Sequence, residues 1–197
     1  MGKAYSDKER EEIRTRVLEA ALDLYHANNS KSLNISEITK RAGISQGGFY
    51  NFWQDKEALI LDIVKYRADQ KLDLLREKFK VSLNNPADFL INAMYNYGMD
   101  LKIKADTNPL YANSFSVLLR DSKDVSSRIE ILYADFIQDL ADYWVSKGLN
   151  ISVDKRGIIN SFTGIFILFS NSKQFDDTYF EEILKIYIES TIKKYIH

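Results

Sequence analysis

The sequence of 197 residues contains no cysteine and only two histidines, His26 and His197. Without cysteine the chain has no disulfide, no thiolate zinc site and no cysteine nucleophile. Two histidines leave too little material for a histidine-based metal site or a Ser-His-Asp triad. We therefore expect no enzyme activity and no cofactor. The lack of cysteine also fits a reducing compartment, so we expect a cytoplasmic protein.

The sequence also lacks an excess of positive charge and a long apolar run. With 27 Lys and Arg against 28 Asp and Glu, the net charge is −1, so nucleic-acid binding would depend on a local cluster of cations. The first sixteen residues contain no apolar stretch of the signal-peptide type. The most apolar segment, 158–169, is shorter than the roughly 20 residues of a membrane span. We interpret it as a buried helix and expect neither export nor membrane association.

Helix breakers are scarce, because the chain has only two prolines and eight glycines. This scarcity favours long helices, and apolar residues recur at the three- and four-residue steps of amphipathic helices. The predicted helices lie at about 9–27, 34–42, a short stretch after Ser45, 55–80, 86–104, 109–121, 124–147, 154–172 and 177–196. The pattern therefore predicts an all-α protein of about nine helices. We expect a three-helix N-terminal domain at 1–54 and a larger C-terminal bundle at 55–197.

Capping signals in the N-terminal domain predict two short helices joined by a tight turn. Asn34 can cap the first, with Glu37 as its reciprocal partner, and Gly43 can end that helix with a positive φ. Ser45 can cap the second. Two such helices meeting at 42–45 form a helix-turn-helix, which places the start of its second helix in a DNA major groove.

The second helix of this motif has an outward face suited to DNA. Four residues share that face: Gln46, Gly47, Tyr50 and Asn51. The amide of Gln46 can bond to a base edge, whereas Phe49 and Trp53 point into the core. The absent side chains of Gly47 and Gly48 would let the backbone approach DNA closely.

The segment ITKRAGISQGGFYNFWQDKEAL at 38–59 resembles the DNA-binding domain of the TetR/AcrR family of transcriptional regulators. The resemblance extends over about residues 9–60. It implies that Ser36, Gln46 and Gly47 approach bases, that Tyr50 contacts a phosphate or a base, and that Lys56 holds a backbone phosphate. The predicted DNA-binding set is Ser36, Ser45, Gln46, Gly47, Gly48, Tyr50, Asn51 and Lys56.

Two residues depart from the family pattern in ways that bear on DNA affinity. Gly48 replaces a small hydroxyl residue or alanine, and Phe52 stands where Tyr or His often contacts phosphate. Trp53 replaces the usual Phe and is expected in the core. Each of the first two changes removes a polar contact, so we expect the affinity rather than the fold to be affected.

The local charge of the motif has the sign that DNA binding needs. Residues 31–56 carry four cations and two anions, a net charge of +2; these are Lys31, Lys40, Arg41, Lys56, Glu37 and Asp55. Further cations before and within the first helix could add flanking phosphate contacts; these are Lys3, Lys8, Arg10 and Arg14. The alternative for this second group is an ordinary solvated helix face.

A protein that reads one groove per subunit needs two-fold pairing to bind a symmetric operator. The last two helices offer more apolar surface than one side of a small bundle requires, which favours a dimer interface there. The predicted interface residues are Phe162, Ile165, Phe166, Phe169, Phe180, Leu184, Tyr187, Ile188 and Thr191. For any single one of them, the chain's own core is the alternative.

Aromatic residues and methionine between 86 and 170 predict an apolar ligand cavity, which would suit a hydrophobic or aromatic effector. The predicted lining is Met94, Tyr97, Tyr111, Phe115, Phe136, Tyr143 and Phe162. Ordinary core packing is the alternative. Asp135, Asp139 and Asp142 share one helix face, which would either attract a cation or simply be solvated.

Together with the resemblance, these features predict a dimeric, sequence-specific DNA-binding transcriptional regulator. By family habit we expect a repressor released from its operator by a small-molecule effector, with activation left open. Its partners would be double-stranded operator DNA, a second copy of the chain and the effector. Two alternatives remain: a helical protein-interaction module without sequence-specific DNA binding, and an all-α enzyme that uses the three aspartates.

Overall fold

The structure is a computed structural model, which describes residues 5–27, 33–120 and 125–197. Lys3 and Lys31 lie outside the described residues. Within these ranges the chain forms ten α-helices and no β-strand. The helices are α1 (Asp7–Ala27), α2 (Ile35–Ala42), α3 (Gln46–Phe49), α4 (Lys56–Arg76), α5 (Phe79–Ser82), α6 (Pro86–Thr107), α7 (Pro109–Leu119), α8 (Val125–Ser146), α9 (Lys155–Ser170) and α10 (Asp177–Tyr195). The all-α prediction is confirmed.

The predicted helix at 55–80 is wrong at its end, because α4 stops at Arg76 and the separate short helix α5 follows. Tertiary packing explains the break. The ring of Phe79 lies 5.6 Å from that of Phe136, and the indole N–H of Trp144 donates to the buried Ser82 hydroxyl at 2.6 Å. A straight continuation of α4 would carry Phe79 and Ser82 along a different line. The periodicity of the sequence does not contain this information.

The caps of the two short helices follow the sequence signals with one exception. The Asn34 side chain accepts from the backbone N–H groups of Ser36 and Glu37, and Gly43 ends α2 with φ 71°. Ser45 caps α3 by accepting from the N–H of Gly48 at 3.0 Å. The predicted reciprocal bond from Glu37 is wrong, because its carboxylate accepts from Arg41 at 3.1 Å instead.

The chain divides into two compact units. The first contains Met1–Arg67 and Ala105–Val117, and the second contains Ala68–Lys104 and Leu118–His197. The start of α7 packs into the first unit, where the Tyr25 and Ser114 hydroxyls are 2.8 Å apart and burial raises the pKa of Tyr25 to about 12. The functional boundary at residue 54 stays a prediction, since packing groups later residues with the N-terminal helices.

The core of the first unit consists of the inward faces of α1 to α4 with two residues of α7. The apolar residues of α1 that recur at three- and four-residue steps are all buried; they are Ile13, Val17, Ala20, Ala21, Leu24 and Tyr25. Phe49 and Trp53 stack with ring centroids 5.3 Å apart beneath the surface of the motif. Leu110 and Val117 belong to the same core. Helices α1, α2, α4 and α7 therefore share the core on which the short helix α3 packs.

The second unit has α8, α9 and α10 at its centre. The apolar segment 158–169 forms most of α9, which confirms the prediction of a buried helix. Close approach of α9 and α10 depends on Gly164, because a Cβ there would overlap the Tyr187 side chain. None of the helices in the described ranges has the length and apolarity that crossing a membrane requires.

Candidate DNA-binding surface and ligand cavity

The outward face of α3 is exposed as predicted. Gln46, Gly47 and Asn51 are exposed, and Tyr50 keeps 57% of its surface accessible, whereas Phe49 directly beside it is fully buried. The helix itself is shorter than expected. After Phe49 the chain continues as a tight turn, in which the Asn51 N–H donates to the Gly48 carbonyl at 3.2 Å. Tyr50 and Asn51 therefore extend the face from the end of α3 rather than from its middle.

The two glycines of α3 differ in what surrounds them. A Cβ on Gly47 would have no heavy atom within 4 Å, so the protein's own packing does not require glycine there. A Cβ on Gly48 would lie 3.2 Å from the Ser45 Oγ atom, which caps the helix. Glycine at position 48 therefore leaves room for the Ser45 hydroxyl that caps α3. An external partner that approaches the backbone would explain Gly47.

The remaining predicted DNA-binding residues lie at helix starts. Ser36 is exposed in the first turn of α2, and Lys56 is the half-buried first residue of α4. The carboxylate of Asp55 accepts from the Ala58 N–H at 2.8 Å and so caps α4. Of the local cations, Arg41 forms an exposed ion pair with Glu37 on its own helix.

The two arginines of α1 that were predicted to flank DNA have different roles. The guanidinium of Arg10 lies 4.9 Å from the centroid of the Phe52 ring and donates to the Asn51 carbonyl at 3.3 Å. This arrangement holds an exposed cation beside the end of the recognition face. Arg14 instead forms a two-pronged ion pair with Asp62 of α4, so its guanidinium is engaged within the unit.

Asp62 of α4 links three elements of the first unit, a role that sequence reasoning missed. Besides Arg14 of α1, it accepts from the Trp53 indole N–H at 2.9 Å. Trp53 in turn stacks on Phe49, the buried residue of α3. Asp62 thereby joins α4 and α1 to the base of the recognition helix. One aspartate within an amphipathic helix carries no sequence signal for this.

The second unit contains an apolar cavity of about 40 Å³. Four residues predicted to line a ligand cavity do so: Met94, Tyr97, Phe136 and Phe162. Three others predicted for the dimer interface line it as well: Ile165, Phe166 and Phe169. Sequence reasoning missed the rest of the lining, which comprises Leu72, Leu75, Leu90, Ala93, Gly98, Leu101 and Tyr133. The lining residues come from α4, α6, α8 and α9.

Three residues predicted for the cavity lie elsewhere. Tyr111 and Phe115 belong to the part of α7 that packs in the first unit, where Tyr111 meets Tyr25 edge-on at 5.8 Å. Tyr143 contacts Phe79 at 5.5 Å and is not part of the lining. Spacing along the chain does not reveal which aromatic residues of different helices converge on one space. These three assignments are therefore corrected.

The predicted dimer residues are mostly inside the single chain. Phe180, Leu184 and Ile188 are fully buried. The four predicted residues of α9 line the cavity; they are Phe162, Ile165, Phe166 and Phe169. They form no exposed apolar stripe, because α9 and α10 pack these side chains against their own unit. Tyr187 and Thr191 are half-buried. The exposed apolar residues of the two helices are Ile167, Tyr179, Ile183 and Ile186.

The three aspartates of α8 are exposed, as the solvated-face alternative expected. Asp139 accepts from Arg76 at 2.8 Å, and Asp142 accepts from Gln138 at 2.7 Å. In the described part of the chain, no group of three or more His, Cys, Asp or Glu residues is placed to hold a metal ion.

Comparison with known proteins finds relatives of the helix-turn-helix segment. Residues 17–63 match the profile of bacterial regulatory proteins of the tetR family. Two curated relatives are uncharacterized HTH-type transcriptional regulators of Bacillus subtilis strain 168. YuxN is 36% identical over 63 residues, and YdgC is 36% identical over 53 residues. These matches span 32% and 27% of this chain, but only 21% of YuxN and 27% of YdgC.

Solved structures resemble the chain over nearly its whole length. RolR in complex with resorcinol superposes with a TM-score of 0.67 at 16% identity, covering 96% of this chain and 90% of RolR. A TetR transcriptional regulator from Rhodococcus sp. RHA1 superposes with a TM-score of 0.67 at 17% identity, covering 93% of this chain and 97% of that regulator. FadR of Thermus thermophilus, a TetR-family repressor in complex with lauroyl-CoA, gives 0.60 at 21% identity, covering 91% of each chain. The helix-turn-helix segment therefore matches the tetR family of bacterial regulatory proteins, and the chain as a whole has the all-α fold of these solved structures.

Proposed function

We propose that the protein is a dimeric, sequence-specific DNA-binding repressor that a small-molecule effector releases from its operator. The observation that carries this proposal is the presence of two different sites in one chain. The first unit exposes a polar recognition face on a buried aromatic support. The second contains an apolar cavity. A regulator that responds to a ligand needs both.

DNA binding is assigned to the exposed residues of the helix-turn-helix. Gln46 and Ser36 would meet base edges, Gly47 would let the backbone approach, and Tyr50 and Lys56 would contact the phosphate backbone. Arg10 joins this set, since its guanidinium is held beside the end of the face and phosphate binding depends on such cations. The caps at Ser45 and Gly48 shape the start of α3.

The effector is assigned to the apolar cavity of the second unit. Two similar structures contain ligands of different chemistry, resorcinol in RolR and lauroyl-CoA in FadR. At identities of 16% and 21% neither ligand transfers to this chain. The effector of this protein follows instead from its own lining residues, which favour an apolar molecule.

Dimerisation is assigned to the exposed side of α9 and α10. Tyr179, Ile183 and Ile186 recur at steps of four and three on α10, and Ile167 lies on the exposed side of α9. Half-buried Tyr187 and Thr191 remain in the proposed interface. The buried predicted residues would support this surface from within the unit. A second copy of the chain would cover these apolar side chains, and pairing would provide the two recognition helices that a symmetric operator needs.

One continuous helix carries residues of both sites, which supports coupling between them. Helix α4 begins with Lys56 of the DNA-binding set and includes Leu72 and Leu75 of the cavity lining. An effector that binds better to one position of α4 would shift the recognition helices, and DNA would weaken effector binding by the same factor.

The test of the DNA assignment is selection from a random duplex library with the purified protein at near-physiological salt. Enrichment of an inverted repeat is the expected result, and its half-site spacing should match about one helical turn or a small multiple of it. A matched selection with a Tyr50→Ala, Lys56→Ala double variant is the control. If the folded wild-type protein enriches no sequence while it forms a stable complex with another protein, the interaction-module alternative replaces this proposal.

A further inference from the structure

The cavity of the second unit has a chemically simple wall. Among the described residues that line it, none carries a charge, and six of the fourteen are aromatic. Leucine, isoleucine, methionine, alanine and glycine supply the others. Such a wall offers dispersion contacts and burial of apolar surface, but no ionic partner for a ligand.

The hydrogen-bonding side chains of the described lining are the two tyrosines Tyr97 and Tyr133. A hydrogen bond joins their hydroxyl groups, and Tyr133 is almost fully buried. Burial, with a smaller effect of Tyr97, raises the pKa of Tyr133 well above its ordinary value. Because a hydroxyl both donates and accepts hydrogen bonds, this pair is the polar feature that the described lining offers to one polar group of a ligand.

The arginine beside Phe136 of the lining already forms ion pairs with two carboxylates. The guanidinium of Arg76 is 5.6 Å from the centroid of the Phe136 ring. It donates to Asp139 at 2.8 Å and to Asp73 at 2.9 Å. A ligand carboxylate in the cavity would therefore lack a free cation from Arg76. Burying an anion without a partner is strongly unfavourable.

We propose that the cavity selects an uncharged, mainly hydrocarbon ligand with at most one hydrogen-bonding group, which the Tyr97–Tyr133 pair receives. Carboxylates and other anions of the same size are rejected. This inference rests on the effector role proposed above, and it narrows that role to one ligand class.

The shape of the cavity depends on Gly98. A Cβ at this position would lie 2.5 Å from the Cζ atom of Phe169, and both residues line the cavity. Glycine therefore lets the Phe169 ring rest directly on α6. Gly98→Ala would push this ring aside and reshape the space that a ligand occupies, so it changes the ligand-binding site without adding any charge.

The test uses three probes of nearly equal size: naphthalene, naphthol and naphthoate. Equilibrium dialysis against the full-length, DNA-free protein at neutral pH compares a hydrocarbon, a neutral hydroxyl compound and an anion. Naphthalene and naphthol should bind, and naphthoate should bind at least about ten-fold more weakly than naphthol. Equal or tighter binding of naphthoate, or no binding of either neutral probe, would overturn the inference.

Variants separate the tyrosine pair from general packing. Tyr97→Phe and Tyr133→Phe should lower the affinity for naphthol by roughly three- to ten-fold and leave naphthalene unchanged. Tyr95→Phe, a matched change on the same helix outside the described lining, should alter neither affinity. Unchanged naphthol affinity in both lining variants would show that the Tyr97–Tyr133 pair does not bind the hydroxyl group of the ligand. Thermal unfolding of each variant shows whether it is folded.

The dialysis result is independent of DNA, so it distinguishes this inference from the function on which it rests. Operator release is then measured with naphthol and the selected duplex. If naphthol binds the protein but does not weaken its affinity for the duplex, the effector role fails and the ligand selectivity stands. If naphthoate binds as tightly as naphthol and also releases DNA, the effector role stands and the selectivity fails.

Discussion

The two compact units use burial in opposite ways. The first exposes its candidate functional residues, such as Gln46 and Tyr50, and buries the aromatic pair Phe49 and Trp53 beneath them. The second buries its candidate functional residues, such as Tyr133 and Phe136, around a cavity. A surface that reads DNA can be formed by one short stretch of sequence on a rigid support. A cavity needs side chains from several helices at once.

This difference explains why the two sites respond differently to change. In the first unit, a substitution on the exposed face alters contacts with a partner but few contacts within the protein. In the second, almost any substitution in the lining changes packing, stability and ligand affinity together. Four predictions test this contrast.

The largest effect is expected for Asp62→Ala. The change leaves the Arg14 guanidinium and the Trp53 indole N–H without their shared acceptor, so the free energy of unfolding should fall by about 2–3 kcal/mol. Asp73→Ala, which removes an exposed ion pair with Arg76, is the control and should cost less than about 0.5 kcal/mol. Chemical denaturation measures both. Equal losses in the two variants would show that Asp62 does not support the recognition helix.

Two glycine-to-alanine substitutions, one in each unit, compare the two units directly. Gly98→Ala should lower the free energy of unfolding by about 1–2 kcal/mol, because Phe169 has to move. Gly47→Ala has open space around it and should keep or slightly raise stability, since alanine favours a helix. Operator affinity, measured by fluorescence anisotropy, should nevertheless fall for Gly47→Ala. Full operator affinity of this variant would mean that DNA does not approach the backbone there.

Substitutions on the exposed face should separate binding from stability. Tyr50→Ala and Lys56→Ala should each weaken operator binding by about ten-fold, with little change in melting temperature or dimerisation. Lys56→Ala should also reduce the slope of log affinity against log salt by about one for each phosphate that the lysine neutralises in the wild type. Anisotropy titrations over a salt series provide both quantities. A slope identical to that of the wild type would exclude a phosphate contact by Lys56.

The smallest effect is expected for Arg10→Ala. Its guanidinium is held by Phe52 and the Asn51 carbonyl, so its removal should weaken operator and non-specific DNA binding about equally, by a few-fold, and lower the salt slope. Arg156→Ala, an exposed arginine of the second unit, is the charge-matched control. If both variants change the slope of log affinity against log salt equally, Arg10 contributes only to the overall charge of the protein and makes no specific contact with DNA.

How much the sequence could predict also differs between the units. The helix-turn-helix was predicted with its caps at Asn34, Gly43 and Ser45, because turns and caps depend on neighbours within a few residues. The sequence did not predict that Glu37 bonds to Arg41 instead of forming the reciprocal capping bond. It also did not predict that α3 ends at Phe49, where a tight turn follows. Local signals thus indicate where a helix begins and ends more securely than which side chains pair.

In the second unit the sequence identified apolar residues correctly but not their places. Phe166 and Phe169 of α9, predicted for a dimer surface, line the cavity, and Tyr143, predicted for the cavity, packs on Phe79. Periodicity shows that a helix has an apolar face. It does not show whether that face meets another helix, an empty space or a second chain.

The sequence by itself therefore determined the all-α class, the approximate extent of most helices and the helix-turn-helix with its exposed face. Tertiary structure alone decided the end of α4 at Arg76, the role of Asp62 beneath the recognition helix and the lining of the cavity. The physical reason is the separation along the sequence between the residues that interact. Caps, turns and helical periodicity arise from interactions within one or two turns of chain, whereas a cavity and a buried ion pair arise where residues distant in sequence meet.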